Sequence, residues 1–208
     1  MMVIFYILLC VLSIIKSFQI LFFHRYIKRG YITCKEIFKG KKFLVIAIIC
    51  FFAFGIVAFI ENKSFETVRL LDLTGACVLV SLTDLKSKQI PDEIVFSLGM
   101  VQVCMILYEY GAGAVINILF CIFVFLITFL ISYLSKGQMG MGDVKLLSVI
   151  CLSLGILNTV WITILSLVLS LFAGLYLLIF HKKSIKTEMP FAPFVTISVI
   201  VNVILNYL

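Results

Sequence analysis

Acid is what this chain has least of. Only ten of its 208 residues are Asp or Glu, against seventeen Lys or Arg, and there are three prolines, two histidines and one tryptophan. Charged residues make up 13% of the chain, where a soluble domain carries about 25%, and hydrophobic residues reach 63%. That balance excludes a soluble globular protein and points to a membrane protein. A hydrocarbon core about 30 Å thick needs roughly 20 helical residues per crossing, so eight crossings would occupy about 160 residues and leave about 48 for loops. No appended nucleotide-binding or other soluble domain fits in the remainder. The net charge of +7 therefore reads as membrane topology, and no nucleic-acid partner is expected.

Paired cysteines are also missing. Cysteines stand at 10, 34, 50, 77, 104, 121 and 151, six of them within apolar runs, and none forms Cys-x-x-Cys. They read as small buried hydrophobes, with neither a disulfide framework nor a thiolate zinc site, and no metal or cofactor is expected. The opening MMVIFYILLC has no basic segment before its apolar run and no small-residue cleavage site after it. It reads as a retained first span.

What is present is a series of apolar stretches. Long ones cover Val3–Phe23, Phe43–Ile60, Ala114–Leu134 and Thr159–Phe180; shorter ones cover Leu70–Thr83, Ile94–Leu107, Val144–Leu157 and Phe194–Leu208. The fold class expected is all-α, a bundle of about eight transmembrane helices forming one domain over residues 1–208. If the basic loop 24–42 is cytoplasmic, fourteen Lys and Arg fall inside and only Lys63 and Arg69 outside, which puts both termini outside. Lys16, inside the first span, is read as snorkelling to the interface. Glu36, Glu61, Glu66, Glu109 and Glu188 are read as solvated loop acids.

Apart from Asp72, near the outer end of the third span, the other acids gather on the inner side. Asp84, Asp92 and Glu93 share the loop TDLKSKQIPDE, and Asp143 lies in SKGQMGMGDVKLL. Extended to full crossing length, the third span ends near Asp84 and the sixth begins near Asp143. Ionised groups at the hydrocarbon boundary are costly, so this pair is the candidate site, with loops 84–93 and 135–143 around it. Gly140 and Gly142 allow close backbone approach before Asp143. Taken alone, Gly-x-Gly-Asp is equally a tight turn with an aspartate cap.

The segments DLKSKQIPDE, GMGDVKLL and PFAPF, in that order between apolar spans, resemble the signature of the type IV prepilin peptidases, membrane aspartic proteases that mature pilin-like and pseudopilin precursors. The resemblance covers the chain from about residue 70 onward. It implies that Asp84 and Asp143 are the catalytic pair, and that Pro91, Pro190 and Pro193 shape the surrounding loops. It also implies a cell-membrane location, bacterial or else archaeal with archaellin-like substrates, a cytoplasmic-facing site and a prepilin or pseudopilin substrate with a hydrophobic helix behind a short basic leader. Ala192 stands where the family often has glycine. Many members carry a cytoplasmic domain with paired Cys-x-x-Cys motifs between the first two spans, associated with methylation of the new N-terminus. Here that interval is the nineteen residues 24–42 with one cysteine, so peptidase activity without methyltransferase activity is expected.

Several roles stay open at this stage. Asp92, Glu93 and Glu188 could receive the leader's basic residues or remain solvated. Lys145 either orients a carboxylate or reaches the headgroups, with the second preferred. Met139 and Met141 offer an adaptable surface or fill gaps. Helix-end electrostatics make Asp143, at a helix start, the expected base and Asp84, at a helix end, the expected acid. The competing readings are a transport subunit that relays protons or binds a cation through the same two aspartates, and an inert secretion platform.

Overall fold

The structure is a computed structural model that describes residues 65–135, 139–181 and 189–207, with 12, 14–16, 18–24 and 26 of the N-terminal segment. The expected span Phe43–Ile60, nearly all of the basic loop 24–42, and Glu188 lie outside the described residues.

Among the described residues the fold is all-helical, with no strand. The helices are α1 (Phe65–Ser87), α2 (Asp92–Tyr110), α3 (Ala114–Leu134), α4 (Met141–His181) and α5 (Ala192–Tyr207), with a single 3₁₀ turn over Gly111–Gly113. Among the described residues, the stretches Leu70–Thr83, Ile94–Leu107, Ala114–Leu134, Val144–Leu157 and Thr159–Phe180 fall inside these helices, and α5 covers the expected stretch from Phe194 as far as Tyr207. Two segments, Asp92–Leu134 and Met141–Phe180, are long and apolar enough to cross a membrane. The first is interrupted by the 3₁₀ turn and the second by Gly155, whose φ of 80° and ψ of 171° break the helix. Only glycine takes that backbone conformation freely. It falls close to the gap between the expected spans Val144–Leu157 and Thr159–Phe180.

One continuous core joins four of these helices. Leu73, Ala76, Cys77 and Val80 repeat at helical spacing on α1 and meet Ile94 and Leu98 of α2, Leu146, Leu147 and Ile150 of α4, and Val195 and Val199 of α5. Helix α1 packs on α5 and α2, and α4 packs on α3, α5 and α2. Most large side chains of α3 are exposed and apolar, as suits a surface solvated by lipid rather than water. Among the described cysteines, Cys77 and Cys151 are buried, Cys121 is half-buried and Cys104 is exposed, all as free thiols.

The charges at the far ends of α1 and α2 depart from the sequence reading. Lys16 does not snorkel: it is buried, and its Nζ donates to Asp72 Oδ1 at 2.9 Å and to the Asp72 carbonyl at 2.7 Å. Gly75 makes the room, since a Cβ there would stand 3.3 Å from the Lys16 ammonium. Arg69 is not an outer-loop charge but a buried residue of α1. Its Nε donates to Glu109 Oε2 at 3.1 Å, it lies 3.7 Å from Glu66, and its guanidinium donates to the carbonyl of Ser153. That carbonyl lies just before the break at Gly155, where the interrupted helix leaves acceptors to be satisfied. Glu66 and Glu109 are therefore ion-pair partners rather than simply solvated acids. Charge cannot be sequestered in an apolar bundle without a partner, and each of these has one.

Candidate active site

Asp84 lies in the last turn of α1, and the chain must reverse immediately after it. The amide of Lys88 donates to the Asp84 carbonyl at 2.8 Å, with Lys88 itself at φ 52°, a left-handed ending of the kind that closes helices. Pro91 then caps α2 in an extended conformation, with φ −65° and ψ 124°, and its carbonyl accepts the amides of Ile94 and Val95. The loop is therefore short and fixed, and Ile90 and Pro91 line the site.

Asp143 lies in the first turn of α4. The Gly140 carbonyl accepts its amide at 3.1 Å and that of Val144 at 3.3 Å, while Ser132 Oγ donates to the Met139 carbonyl and pins the approach to the end of α3. Both glycines are explained by close contact. A Cβ at Gly142 would lie 2.6 Å from Ile90 Cβ, and one at Gly140 would lie 3.2 Å from Asp143 Oδ2. Gly142 thus lets the start of α4 rest directly on the loop that follows Asp84. We predict that Gly142→Ala forces these segments apart and lowers turnover about a hundred-fold, because displacement of about 1 Å at a reacting centre has that effect. Near-normal turnover by this variant would contradict the close packing at Gly142.

The two aspartates open into one cavity of about 440 Å³. Asp84 is buried and Asp143 half-buried, and they are close enough for their charges to repel. A third element completes the arrangement from a distance in sequence: the amide of Ala192, at the start of α5, donates to Asp84 Oδ2 at 3.0 Å, and the Phe191 amide also faces that carboxylate. A helix N-terminus is a natural anion site, since its first amides have no partner within the helix. Pro193 sits in that first turn, where its missing N–H forfeits no helical hydrogen bond, and Pro190 precedes it. These prolines flank the amides that hold Asp84 and do not line the cavity.

Lys145 does not reach away to headgroups. Its Nζ donates to Asp92 Oδ1 at 2.8 Å, and both side chains line the mouth of the cavity. Glu93 lines it as well, and Met141 contributes an exposed apolar wall, whereas Met139 packs against the core. Sequence reasoning singled out none of Phe22, Tyr26, Lys88, Gln89 and Ile90, which also line the cavity. Tyr26 Oη donates to Gln89 Oε1 at 3.4 Å, and the rings of Phe22 and Tyr26 stack with centroids 5.9 Å apart. The signal available for Phe22 and Tyr26 was the recurrence of aromatics at 18, 22 and 26, one helical turn apart. Among the described residues no group of three or more His, Cys, Asp or Glu side chains could hold a metal ion. Two carboxylates facing one cavity are groups able to exchange protons with a bound molecule.

A prepilin leader peptidase/N-methyltransferase of Pseudomonas putida is 33% identical over 150 residues, a match that takes in 69% of this chain and 51% of the relative. The chain thus spans about half the length of the curated relative it matches. No solved structure matches. The family model described as the type IV leader peptidase family matches residues 71–179, a range that contains both Asp84 and Asp143 and ends before PFAPF. The chain belongs to the type IV leader peptidase family.

Proposed function

We propose that this chain is a membrane-embedded aspartic endopeptidase that removes the short basic leader from type IV prepilin-like or pseudopilin precursors at the cytoplasmic face. The observation that carries the reading is the convergence of Asp84 and Asp143, from α1 and α4, on one cavity. Hydrolysis by two carboxylates needs one ionised group to accept a proton from water and one protonated group to donate a proton to the leaving amine. The amides of α5 favour the ionised form of Asp84, so we assign Asp84 as base and Asp143 as acid, the reverse of the order that each aspartate's own helix suggests. Water loses a proton to Asp84 as its oxygen attacks the scissile carbonyl, and Asp143 gives its proton to the nitrogen as the C–N bond breaks.

Topology follows the same reading. At 1.5 Å per residue the segments Asp92–Leu134 and Met141–Phe180 would each measure about 60 Å, twice the hydrocarbon core, so each makes two crossings around its break. With α1, α5 and the two N-terminal stretches this gives eight crossings in a multi-pass protein of the cell membrane, with both termini outside and the aspartates at the inner boundary. The cavity mouth then meets the leader. Asp92 is neutralised by Lys145, which leaves Glu93 to receive a basic residue of the leader. Family membership gives no support to the transport or inert-platform readings.

The test is to incubate the purified protein, in lipid nanodiscs, with a peptide carrying a basic leader and a hydrophobic helix, and to weigh the products. Cleavage at the end of the leader is expected; an intact peptide would sink the proposal. The same measurement reads methylation. The interval 24–42 is too short for a cysteine-paired zinc domain, so with a methyl donor present the product is expected to carry an unmodified amino terminus. A product heavier by one methyl group would overturn that part.

A further inference from the structure

Resting on the peptidase reading, one residue of α5 that no motif contains has a defined place in the site. Thr196 is buried, and its hydroxyl lies 2.9 Å from the carbonyl of Cys77 on α1 and 2.9 Å from the carbonyl of Ala192 on its own helix. Ala192 is the residue whose amide meets Asp84. It is therefore held at both ends: its N–H by the Asp84 carboxylate and its carbonyl by Thr196, which shares its one proton with α1. Along α1, Cys77 and Asp84 stand two helical turns apart, and on α5 Thr196 and Ala192 stand about one turn apart. The two polar contacts therefore pin the pair of helices at two heights.

The surroundings explain why a hydroxyl is needed for this. Around this contact Ala76, Cys77 and Val80 of α1 and Ala192, Val195 and Val199 of α5 share one apolar core. Apolar packing holds helices together but tolerates sliding along their axes, because its attraction has no direction. A hydrogen bond has a narrow range of distance and angle. We propose that Thr196 is a positioning residue of the active site, whose hydrogen bond to the Cys77 carbonyl sets the height of α5 on α1 and so keeps the Ala192 amide on Asp84. It touches neither substrate nor the attacking water. Its effect reaches the reaction only through Asp84.

The decisive comparison is Thr196→Val, which keeps the shape and removes the donor, against Thr196→Ser, which keeps the donor. Turnover of a leader-bearing peptide is measured with the full chain in nanodiscs, alongside carbodiimide labelling of Asp84 followed by peptide mass spectrometry. For Thr196→Val we expect kcat to fall about ten-fold with KM within about two-fold, and Asp84 labelling to rise several-fold, because a charge-assisted hydrogen bond has been weakened. Thr196→Ser should return both readings to within about two-fold of wild type. Wild-type turnover and labelling in the valine variant would overturn the inference, as would a serine variant impaired as much as the valine one. Loss of folding in both Thr196→Val and Thr196→Ala would also overturn it, since the hydroxyl would then support the bundle rather than one helix's register. A wild-type protein that cleaves nothing would mark failure of the peptidase reading instead, and the labelling comparison would still decide the role of Thr196.

Discussion

Asp84→Asn and Asp143→Asn are each expected to lower leader-peptide cleavage by at least about a thousand-fold, whereas Asp92→Asn lowers it by no more than about three-fold. The difference comes from place rather than residue type. Asp84 and Asp143 come from two helices into one cavity, and in the proposed mechanism each makes the proton transfer the other cannot perform. An amide can neither accept a proton from water nor hand one to a leaving amine. General acid and general base steps contribute about 10²–10⁴-fold each, and their losses do not multiply when both groups act in one step. The double variant should therefore be scarcely worse than either single one. Asp92 pairs with Lys145 at 2.8 Å, but both side chains are substantially exposed, and such pairs contribute at most about 1 kcal/mol.

Two controls separate this result from misfolding. Asparagine keeps the shape and can still accept the Ala192 amide through its carbonyl oxygen, so Asp84→Asn should unfold near the wild-type temperature. Binding of uncleaved peptide should also persist, since the carboxylates act on the scissile bond and not on the hydrophobic helix behind it. Wild-type-like cleavage by either variant would exclude the aspartic mechanism. Severe loss in Asp92→Asn with retention in Asp84→Asn would move the dyad to Asp92 and Asp143.

What the sequence could and could not disclose follows from the range of each interaction. The apolar run Ala114–Leu134 and the helix α3 have the same limits, because hydropathy and helical pairing both depend on near neighbours. Asp84 and Asp143 were legible as a pair for a similar reason: each stands at the end of an apolar stretch, beside residues that allow a sharp turn. The third partner was not. The Ala192 amide approaches Asp84 from 108 residues away, and a backbone donor leaves no mark in residue identity. That is why the proposed acid and base roles are the reverse of those expected from each aspartate's own helix. Sequence alone sends Lys145 to the headgroups because its partner Asp92, 53 residues distant, opens a different helix. Gly142 was legible as permissive, but the atom it makes way for, Ile90 Cβ, lies on another segment.

Lys16→Met is expected to destabilise the protein by about 3–5 kcal/mol, seen as a fall of roughly 10 °C in its unfolding temperature in lipid nanodiscs. A lysine snorkelling to the interface would give almost no change. The prediction rests on burial: the side chains of Lys16 and Asp72 are 8% and 2% exposed, and they meet at 2.9 Å. Taking the ammonium away leaves a buried carboxylate whose remaining side-chain donor among the described residues is Gln102 Nε2, at 3.2 Å. One neutral amide does not replace a charge in an apolar bundle. If the loss comes from the orphaned charge rather than from the missing methylenes, adding Asp72→Asn should restore most of it, because removing both members of a buried pair is often close to neutral. The pair joins the N-terminal segment to α1 some three turns from Asp84, so cleavage by the double variant should stay within about three-fold of wild type. A single Lys16→Met variant as stable as wild type would refute the buried pair, and a double variant no more stable than the single one would show that packing at Gly75, and not charge, was lost.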